Sequence, residues 1–450
     1  MSGVVGIYSS DRNDVAQLIY YGLYALQHRG QISAGIAVNN NGFIDYHREA
    51  GLVHEVFPKE RLQRLIGNIG LGHVRYAFNT DDHSLLNTLP LVAGYKRGAL
   101  AITLDGTIVN SDSLRDSLED SGVIFQSELD GEVIANLIAR NSKVSIEEAV
   151  IKALDEISGS YALAMMTNDR LIVARDPFGI KPLCLGKLGN DYIVASESCA
   201  FDTVGADFIR DIEPGEILLI NDEGLRTISK KLKKRNLCLF ELVYFARPDS
   251  MLDGKSIYLS RIEAGRQLAR ESENDADIVI GAPDSGIVFA IGFAEESKIP
   301  YAEGIIKNRY VGRTFIQPSQ ELREQGVMIK LNPVKENIDG RRVILVDDSV
   351  VRGTTIKRTV QMLKKAGAKE VHIRIASPPV INTCHLGMDT PSKENLISAN
   401  MSVEEIKQLI GADSLHFISI DGFIKSVNPS NGFCTGCFTG KYAIDPVNDK

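Results

Sequence analysis

An acidic pair and a hydroxyl-rich loop lie between an apolar run and a helical pattern in the C-terminal half of the chain. Residues 343–346 (VILV) are β-branched or aliphatic, which is typical of a strand that is buried on both faces. Asp347 and Asp348 follow directly, and a helical pattern then begins at Thr354 and stops at Gly367. This order of strand, loop and helix predicts a doubly wound α/β domain.

The loop after this strand has the residue types that bind phosphate and a divalent cation. In an open α/β sheet, ligands lie outside the carboxyl ends of the strands. Two adjacent carboxylates there can accept hydrogen bonds from ribose hydroxyls and hold a hard cation such as Mg²⁺. The backbone N–H groups at the start of the following helix form an anion cradle. The candidate binding residues are therefore Asp347, Asp348, Ser349, Arg352, Gly353, Thr354 and Thr355.

Two further segments offer groups for a phosphorylated ligand. A second apolar run ends in a turn that contains Gly, Pro, Asp284 and Ser285, where backbone N–H groups are available to pyrophosphate. Further on, Lys307, Arg309 and Arg313 put three cations around a glycine in one short stretch. This stretch predicts a mobile lid that brings positive charge over a leaving pyrophosphate. A plain surface turn and a solvated basic loop are the alternatives.

The composition is that of a globular protein with more than one domain. The chain has 450 residues, of which 44% are hydrophobic and 24% are charged. At this length two or three domains are expected. The formal net charge of −8 differs from the basic footprint of a nucleic-acid-binding protein. We find no apolar run of bilayer length and no signal-peptide pattern, so we expect a cytoplasmic protein without a membrane partner.

A basic stretch marks the expected boundary between two domains. Short β-like runs and helical patterns alternate up to it, which predicts an α+β domain over residues 1–230. The stretch itself, residues 230–235 (KKLKKR), is typical of a solvated linker. Buried apolar runs then alternate with helices, which places the α/β domain in residues 231–450.

The chain as a whole resembles the glutamine PRPP amidotransferase family, where PRPP is phosphoribosyl pyrophosphate. The resemblance runs from near residue 3 to near residue 440 and rests on segments such as HRGQISAGI, GHVRYA, RDPFGIKPL, YFARPDS and KNRYVGRTFIQP. It implies an N-terminal-nucleophile glutaminase domain, which is an αββα sandwich, and a type I phosphoribosyltransferase domain, which is a glycosyltransferase. It also implies transfer of ammonia to C1 of PRPP, with Mg²⁺ at the leaving pyrophosphate, to give 5-phosphoribosylamine for purine biosynthesis.

The resemblance assigns functional positions in the first domain, and two of them depart from the family pattern. Ser2 stands where the family has a nucleophilic cysteine, and a hydroxyl is the weaker nucleophile. Asp105 and Gly106 replace the Asn-Gly pair of the oxyanion hole, where an ionised carboxylate repels the developing charge. Arg75, expected to hold the glutamine carboxylate, and Asp130, expected to hold its amino group, are kept. We therefore expect weak or no glutamine hydrolysis.

The resemblance also gives a role to most of the cysteines. Four of the six match the positions that hold a [4Fe–4S] cluster in one branch of the family: Cys238, Cys384, Cys434 and Cys437. The last two form a C-x-x-C pair, a spacing that lets two thiolates meet one metal centre. Zinc held by the same thiolates, or no metal, are the alternatives. The other two, Cys184 and Cys199, are expected to be buried thiols.

Three functions are compatible with these residues. The first is an amidophosphoribosyltransferase-like enzyme that uses ammonia and makes little or no use of glutamine. The second is a PRPP-dependent transferase that acts on another amine or on a heterocyclic base in a specialised nucleotide pathway. The third is a non-catalytic regulator that binds PRPP or a nucleotide, which the intact acidic pair and threonine loop disfavour. The resemblance further implies a homodimer or homotetramer and inhibition by purine nucleotides.

Overall fold

The computed structural model of this chain describes residues 2–76, 85–308, 331–427 and 432–445. Two β-sheets pack face to face in its N-terminal half. The first contains β1 (Ser2–Tyr8), β2 (Ser33–Asn40), β3 (Phe43–Ala50), β4 (Ile69–Arg75), β9 (Cys184–Leu188), β10 (Asp191–Ala195) and β11 (Asp207–Asp211), in the order β11-β9-β10-β1-β4-β2-β3. The second contains β5 (Leu91–Tyr95), β6 (Gly98–Ile108), β7 (Gly159–Met166), β8 (Leu171–Arg175), β12 (Glu216–Asn221) and β13 (Gly224–Lys230), in the order β13-β12-β8-β7-β6-β5.

Helices cover the outer faces of both sheets. They are α1 (Ala16–Ala25), α2 (Val53–Val56), α3 (Lys59–Leu62), α4 (Ser111–Asp120), α5 (Asp130–Arg140), α6 (Ile146–Glu156) and α7 (Cys199–Val204). The apolar residues of α1 and α7 pack on the first sheet, and those of α5 and α6 pack on the second. A third apolar cluster, which includes Val4 and Val173, fills the space between the sheets. The predicted αββα sandwich is therefore confirmed.

The C-terminal half is built on a parallel sheet. The strands described in this half of the chain are β14 (Leu237–Cys238), β15 (Met251–Leu252), β16 (Lys255–Ser256), β17 (Ile278–Gly281), β18 (Ile305–Lys307), β19 (Leu331–Pro333), β20 (Arg342–Asp347), β21 (Glu370–Ile375), β22 (Ser414–Phe417) and β23 (Phe433–Cys434). The order β17-β20-β21-β22 forms the central sheet, and its neighbouring strands are parallel. The predicted α/β domain is confirmed.

Helices lie on both faces of this parallel sheet. They are α8 (Ile257–Glu271), α9 (Ile287–Ser297), α10 (Lys335–Ile338), α11 (Thr354–Lys365), α12 (Ile397–Asn400), α13 (Val403–Ile410), α14 (Ile420–Ser426) and α15 (Gly436–Thr439). Helices α8, α9 and α14 contribute to one apolar cluster, and α11 and α13 contribute to the other. Shorter helical turns are the π-helical Glu241–Phe245 and the 3₁₀ segments Gln27–Arg29, Leu85–Asn87 and Lys393–Asn395. Among the described residues, none of the helices has the length and apolarity that crossing a bilayer requires.

Buried polar contacts join the two halves. The guanidinium of Arg175, in β8, makes a two-pronged ion pair with Asp253 at 2.7 and 3.1 Å. Both side chains are only 1% exposed. The Ser160 hydroxyl donates to the Leu386 carbonyl at 2.8 Å. Removing one member of a buried ion pair typically costs about 3–5 kcal/mol, so these contacts fix how the two halves meet.

The two cysteines outside the four-cysteine set lie in the N-terminal core. Cys184, in β9, is fully buried, and Cys199, at the start of α7, is 1% exposed. Both pack in the cluster between α1, α7 and the first sheet. The prediction that they are buried thiols is confirmed.

Candidate functional site

A cavity of about 400 Å³ opens at the carboxyl ends of β17 and β20, and the acidic pair lies in its wall. Asp347 is the last residue of β20, and Asp348 is 5% exposed. The Ser349 hydroxyl donates to the Asp348 carboxylate. The Ser285 side chain, from the turn after β17, bonds to the same carboxylate. The fold therefore brings together residues that the sequence predicted at two separate strand ends.

Burial and the proximity of the two carboxyls disfavour ionisation of the acidic pair. Burial raises the pKa of Asp347 well above its usual value, and the neighbouring Asp348 raises it further. Burial also raises the pKa of Asp348, although its bonds to Ser285 and Ser349 oppose the shift. A divalent cation bound here would let both carboxyls ionise. The donor set of two carboxylates and a hydroxyl fits Mg²⁺.

The loop between the acidic pair and α11 has the shape of an anion cradle. Gly353 adopts φ 77°, a left-handed conformation that glycine enters most easily. Thr354 and Thr355 form the first turn of α11, whose backbone N–H groups have no partner within the helix. Arg352 lines the same cavity. The cradle and the acidic pair therefore face one volume.

The basic segment predicted to close this site is described only in part. Lys307 ends β18, which pairs with β19, and its ammonium group forms an ion pair with Asp284. Arg309 and Arg313 lie outside the described residues. Lys307 is therefore placed beside the turn that was predicted to hold pyrophosphate, and the role of the other two cations stays a prediction.

A second cavity, of about 740 Å³, gathers the predicted glutamine-site positions in the N-terminal half. The pairing of β1 with β4 places Ser2 directly opposite Arg75. Asp130, at the start of α5, accepts the N–H of Ile108 at 2.8 Å, and burial raises the pKa of its carboxyl. Gly106, in β6, lines the same cavity. The cavity therefore has the groups that would bind the two charged ends of an α-amino acid.

The carboxylate of Asp105 is buried beside Ser2. The Ser2 N–H donates to Asp105 Oδ1 at 2.8 Å, and Arg29 Nη2 donates to Oδ2 at 3.2 Å. Lys181 Nζ lies 3.7 Å from Oδ1. Burial would raise the pKa of Asp105, but the charges of Lys181 and Arg29 together hold it below its usual value. Asp105 is therefore an anion at neutral pH.

Arg29 is the centre of a buried charge network that sequence reasoning missed. Its guanidinium donates to Glu197 at 2.6 Å and to Glu241 at 2.8 Å, and its Nε donates to the Ser2 carbonyl at 2.9 Å. Its side chain and both carboxylates are fully buried. The HRGQ segment contains Arg29, but its partners lie 168 and 212 residues away along the chain. No local pattern connects them.

The two cavities share part of their walls. Tyr76, Met388 and Asp389 line both of them. The loop that carries Met388 rests on β6, because a Cβ on Gly387 would lie 2.9 Å from the Gly106 Cα. The Lys181 ammonium donates to the Gly387 carbonyl at 3.0 Å. The N-terminal half therefore supports a loop that bounds the C-terminal cavity.

The four predicted cluster ligands converge at the junction of the halves. Cys238 and Cys434 are direct neighbours in the short parallel pair of β14 and β23. Burial raises the pKa of Cys437, and the nearby thiols of Cys238, Cys384 and Cys434 raise it further. The Leu386 N–H donates to Cys384 Sγ at 3.3 Å. Among the residues that the structure describes, no three His, Cys, Asp or Glu side chains are arranged to hold a single metal ion.

Comparisons with known proteins match both halves and the whole chain. A model of the glutamine amidotransferase domain matches residues 76–203, and a model of the phosphoribosyl transferase domain matches residues 249–377. The amidophosphoribosyltransferase of Archaeoglobus fulgidus is 49% identical over 99% of this chain and 98% of its own length. The amidophosphoribosyltransferase of Bacillus subtilis is 46% identical over 99% of this chain and 95% of its own length.

Two solved structures superpose over nearly the entire chain. One is described as the allosteric regulatory enzyme of purine biosynthesis; it has a TM-score of 0.94 and 46% identity and covers 99% of this chain and 97% of its own. The other is the B. subtilis glutamine PRPP amidotransferase in complex with ADP and GMP. It has a TM-score of 0.92 and 46% identity and covers 100% of this chain and 98% of its own.

The contact between Gly387 and Gly106 leads to a stability prediction. The Gly387→Ala variant should lower the free energy of unfolding by more than about 2 kcal/mol, because its Cβ meets backbone as well as an unfavourable φ of 79°. Gly411→Ala is the matched control, since Gly411 has φ 73° but open space around its Cβ. That variant should lose only about 1 kcal/mol. Urea unfolding measures both values, and equal losses would contradict the packing argument.

Proposed function

The chain belongs to the amidophosphoribosyltransferase family, and we propose that it transfers ammonia to C1 of PRPP to give 5-phosphoribosylamine and pyrophosphate, as in the first step of purine biosynthesis. One observation carries the proposal. The acidic pair Asp347 and Asp348 faces Ser285 and the threonine loop within one cavity at the end of a buried strand. This is the arrangement that a ribose bearing two phosphorylated ends requires.

Different residues of this cavity bind different parts of the substrate. The cradle that begins at Gly353 receives a phosphate on backbone N–H groups, and the carboxylates accept bonds from ribose hydroxyls. Mg²⁺ held by Asp347, Asp348 and Ser285 would neutralise charge that develops on the leaving pyrophosphate. Lys307 adds a cation near the same turn. The protein therefore positions C1 and stabilises the departing group, while ammonia attacks.

The substrate assignment predicts which nitrogen donor supports turnover. Purified protein with PRPP and Mg²⁺ should release pyrophosphate with ammonium and much less with glutamine. Asp348→Asn should lower the ammonium-dependent rate by about a hundredfold or more, because it removes a charge from the cation and ribose site. Asp421→Asn, at an exposed position in α14, is the control and should keep the rate. Release only with another amine or a base would favour a different acceptor, and no release with any acceptor would refute the enzyme assignment.

We also propose that the N-terminal half hydrolyses glutamine weakly or not at all. The hydroxyl of Ser2 is a poorer nucleophile than a thiolate at neutral pH. The anionic Asp105 stands beside Gly106, where the developing oxyanion needs donors. Loss of one such donor typically costs about a hundredfold or more in rate. Arg75 and Asp130 still line the cavity, so the substitutions affect the chemistry more than the binding groups.

Asp105 also affects the nitrogen of Ser2, which is the proposed general base. In the mechanism that the family resemblance implies, the α-amine freed by removal of Met1 is the general base. The Ser2 nitrogen lies 2.8 Å from the Asp105 carboxylate. An ammonium group next to a buried anion holds its proton more tightly. Asp105 therefore works against both proton transfer and oxyanion formation.

This double effect predicts that one substitution does not restore the glutaminase. The Ser2→Cys variant should remain at least about a hundredfold below the double variant Ser2→Cys with Asp105→Asn, because the carboxylate still opposes both steps. Asp105→Asn alone should stay low, because the hydroxyl remains. Glutamate release measures hydrolysis, and ammonium-dependent pyrophosphate release reports whether each variant keeps its C-terminal site. Full activity of Ser2→Cys alone would contradict the role given to Asp105.

We further propose that Cys238, Cys384, Cys434 and Cys437 hold a [4Fe–4S] cluster. The support is chemical: the thiols of Cys238, Cys384 and Cys434 lie near that of Cys437, and backbone N–H groups point at Cys384 and Cys434. Leu386 donates to Cys384, and Gly436 and Ala443 donate to Cys434, which opposes the rise in the pKa of Cys434 that burial causes. Such N–H···S bonds are typical around thiolate ligands. When bound, the cluster would tie the loop of Cys384 and the C-terminal segment to the junction strand of Cys238.

The cluster assignment is tested by metal content. Protein prepared anaerobically should contain about four irons per chain and absorb at about 400 nm. Cys437→Ser should lose most of the iron, because one ligand is removed. Cys184→Ser, which alters a buried thiol outside the site, is the control and should keep it. Zinc in place of iron would overturn the assignment.

The family resemblance supports two further proposals about partners. We propose that the chain forms a homodimer or homotetramer, which sedimentation measurements test. We also propose that purine nucleotides inhibit it by competing at the PRPP cavity. The B. subtilis relative is described in complex with ADP and GMP. Inhibition of ammonium-dependent turnover that increasing PRPP relieves would support the second proposal.

A further inference from the structure

The C-terminal segment of the described chain folds back over the four-thiol site. After α15 the chain turns at Gly440, which has φ 77°, and continues through residues 441–445. The hydroxyl of Tyr442 donates to the Thr383 carbonyl at 2.6 Å. This bond ties the segment to the residue that precedes Cys384.

The ring of Tyr442 occupies space that Gly436 leaves open. A Cβ on Gly436 would lie 2.1 Å from Cδ1 and 2.3 Å from Cε1 of Tyr442. Gly436 is part of the turn between Cys434 and Cys437. The ring therefore packs directly on the backbone that positions two of the proposed ligands.

A second ring supports the first on the side of the N-terminal cavity. The ring centroids of His385 and Tyr442 are 4.0 Å apart. The His385 Nε2 lies 3.0 Å from the Ile444 carbonyl, which fixes the ring against the folded-back segment. Cys384 and His385 both line the cavity that contains Ser2. The His385 ring therefore lies between this cavity wall and the ring of Tyr442 that packs on the ligand turn.

We propose that Tyr442 is a cover of the cluster, which limits the access of small molecules to the metal centre and sets the rate at which iron leaves. Tyr442 is not a ligand and acts by packing over the ligand turn. Two contacts hold the cover closed: the tilted ring contact with His385 and the hydrogen bond to Thr383. Opening requires only local release of the segment beyond Gly440, which is a smaller event than global unfolding. This inference rests on the proposed cluster.

The transfer of iron to a ferrous chelator under nitrogen tests the cover on the full-length, cluster-loaded protein. Tyr442→Phe keeps the ring but loses the bond to Thr383, so it should release iron about fivefold faster, as expected for one hydrogen bond. Tyr442→Ala loses ring and bond and should release iron roughly tenfold faster or more. Tyr258→Ala, at an exposed tyrosine of α8, is the matched control and should release iron at the wild-type rate.

A second measurement uses the metal-free protein. A neutral thiol reagent, read out by mass spectrometry, should label Cys437 faster in Tyr442→Ala than in the wild type, because the ring packs on the turn that carries this thiol. Equal iron release and equal labelling in the variants and the wild type would overturn the cover. Absence of iron from the wild type is a separate result, which would remove the cluster and this inference with it.

Discussion

The buried guanidinium of Arg29 is the contact on which the arrangement of the two halves depends. It binds the backbone of Ser2 and the carboxylates of Asp105 and Glu197 within the N-terminal half, and Glu241 in the C-terminal half. Leaving any of these buried charges unpaired would be costly, since removal of one partner of a buried pair typically costs about 3–5 kcal/mol. One side chain therefore holds both the backbone of Ser2 and the junction of the two halves.

The N-terminal half also supports the cavity of the C-terminal half. Lys181 and Ser160 bind the carbonyls of the loop around Gly387, and that loop bounds the C-terminal cavity through Met388 and Asp389. A chain that lost this half would lose a wall of the other site. Asp105 contributes to that support, because its carboxylate neutralises the charges of Arg29 and Lys181.

The local elements around the acidic pair followed from the sequence, whereas the buried charge network did not. We could predict β20, its loop and α11 from the apolar run at 343–346, the acidic pair and the glycine that ends the helix. Each of these is a local pattern with a local physical cause. The roles of Arg75 and Asp130 came from resemblance alone, and their placement in one cavity required the structure. The pairing of Arg29 with Glu241 joins residues far apart in sequence, and no periodicity marks such a contact. Likewise, the sequence indicated that Asp105 is unsuited to an oxyanion hole but not that it binds the nitrogen of Ser2.

The presence of Cys384 in the wall of the N-terminal cavity has a consequence for chemical probes. An electrophilic mimic of glutamine is normally designed to trap a thiol at the nucleophile position. In this chain that position holds a hydroxyl, while a different thiol lies in the wall of the same cavity. Covalent capture of such a compound would then report the thiol of Cys384 in the cavity wall and not a working amidase, so the site of attachment has to be mapped before the adduct is interpreted.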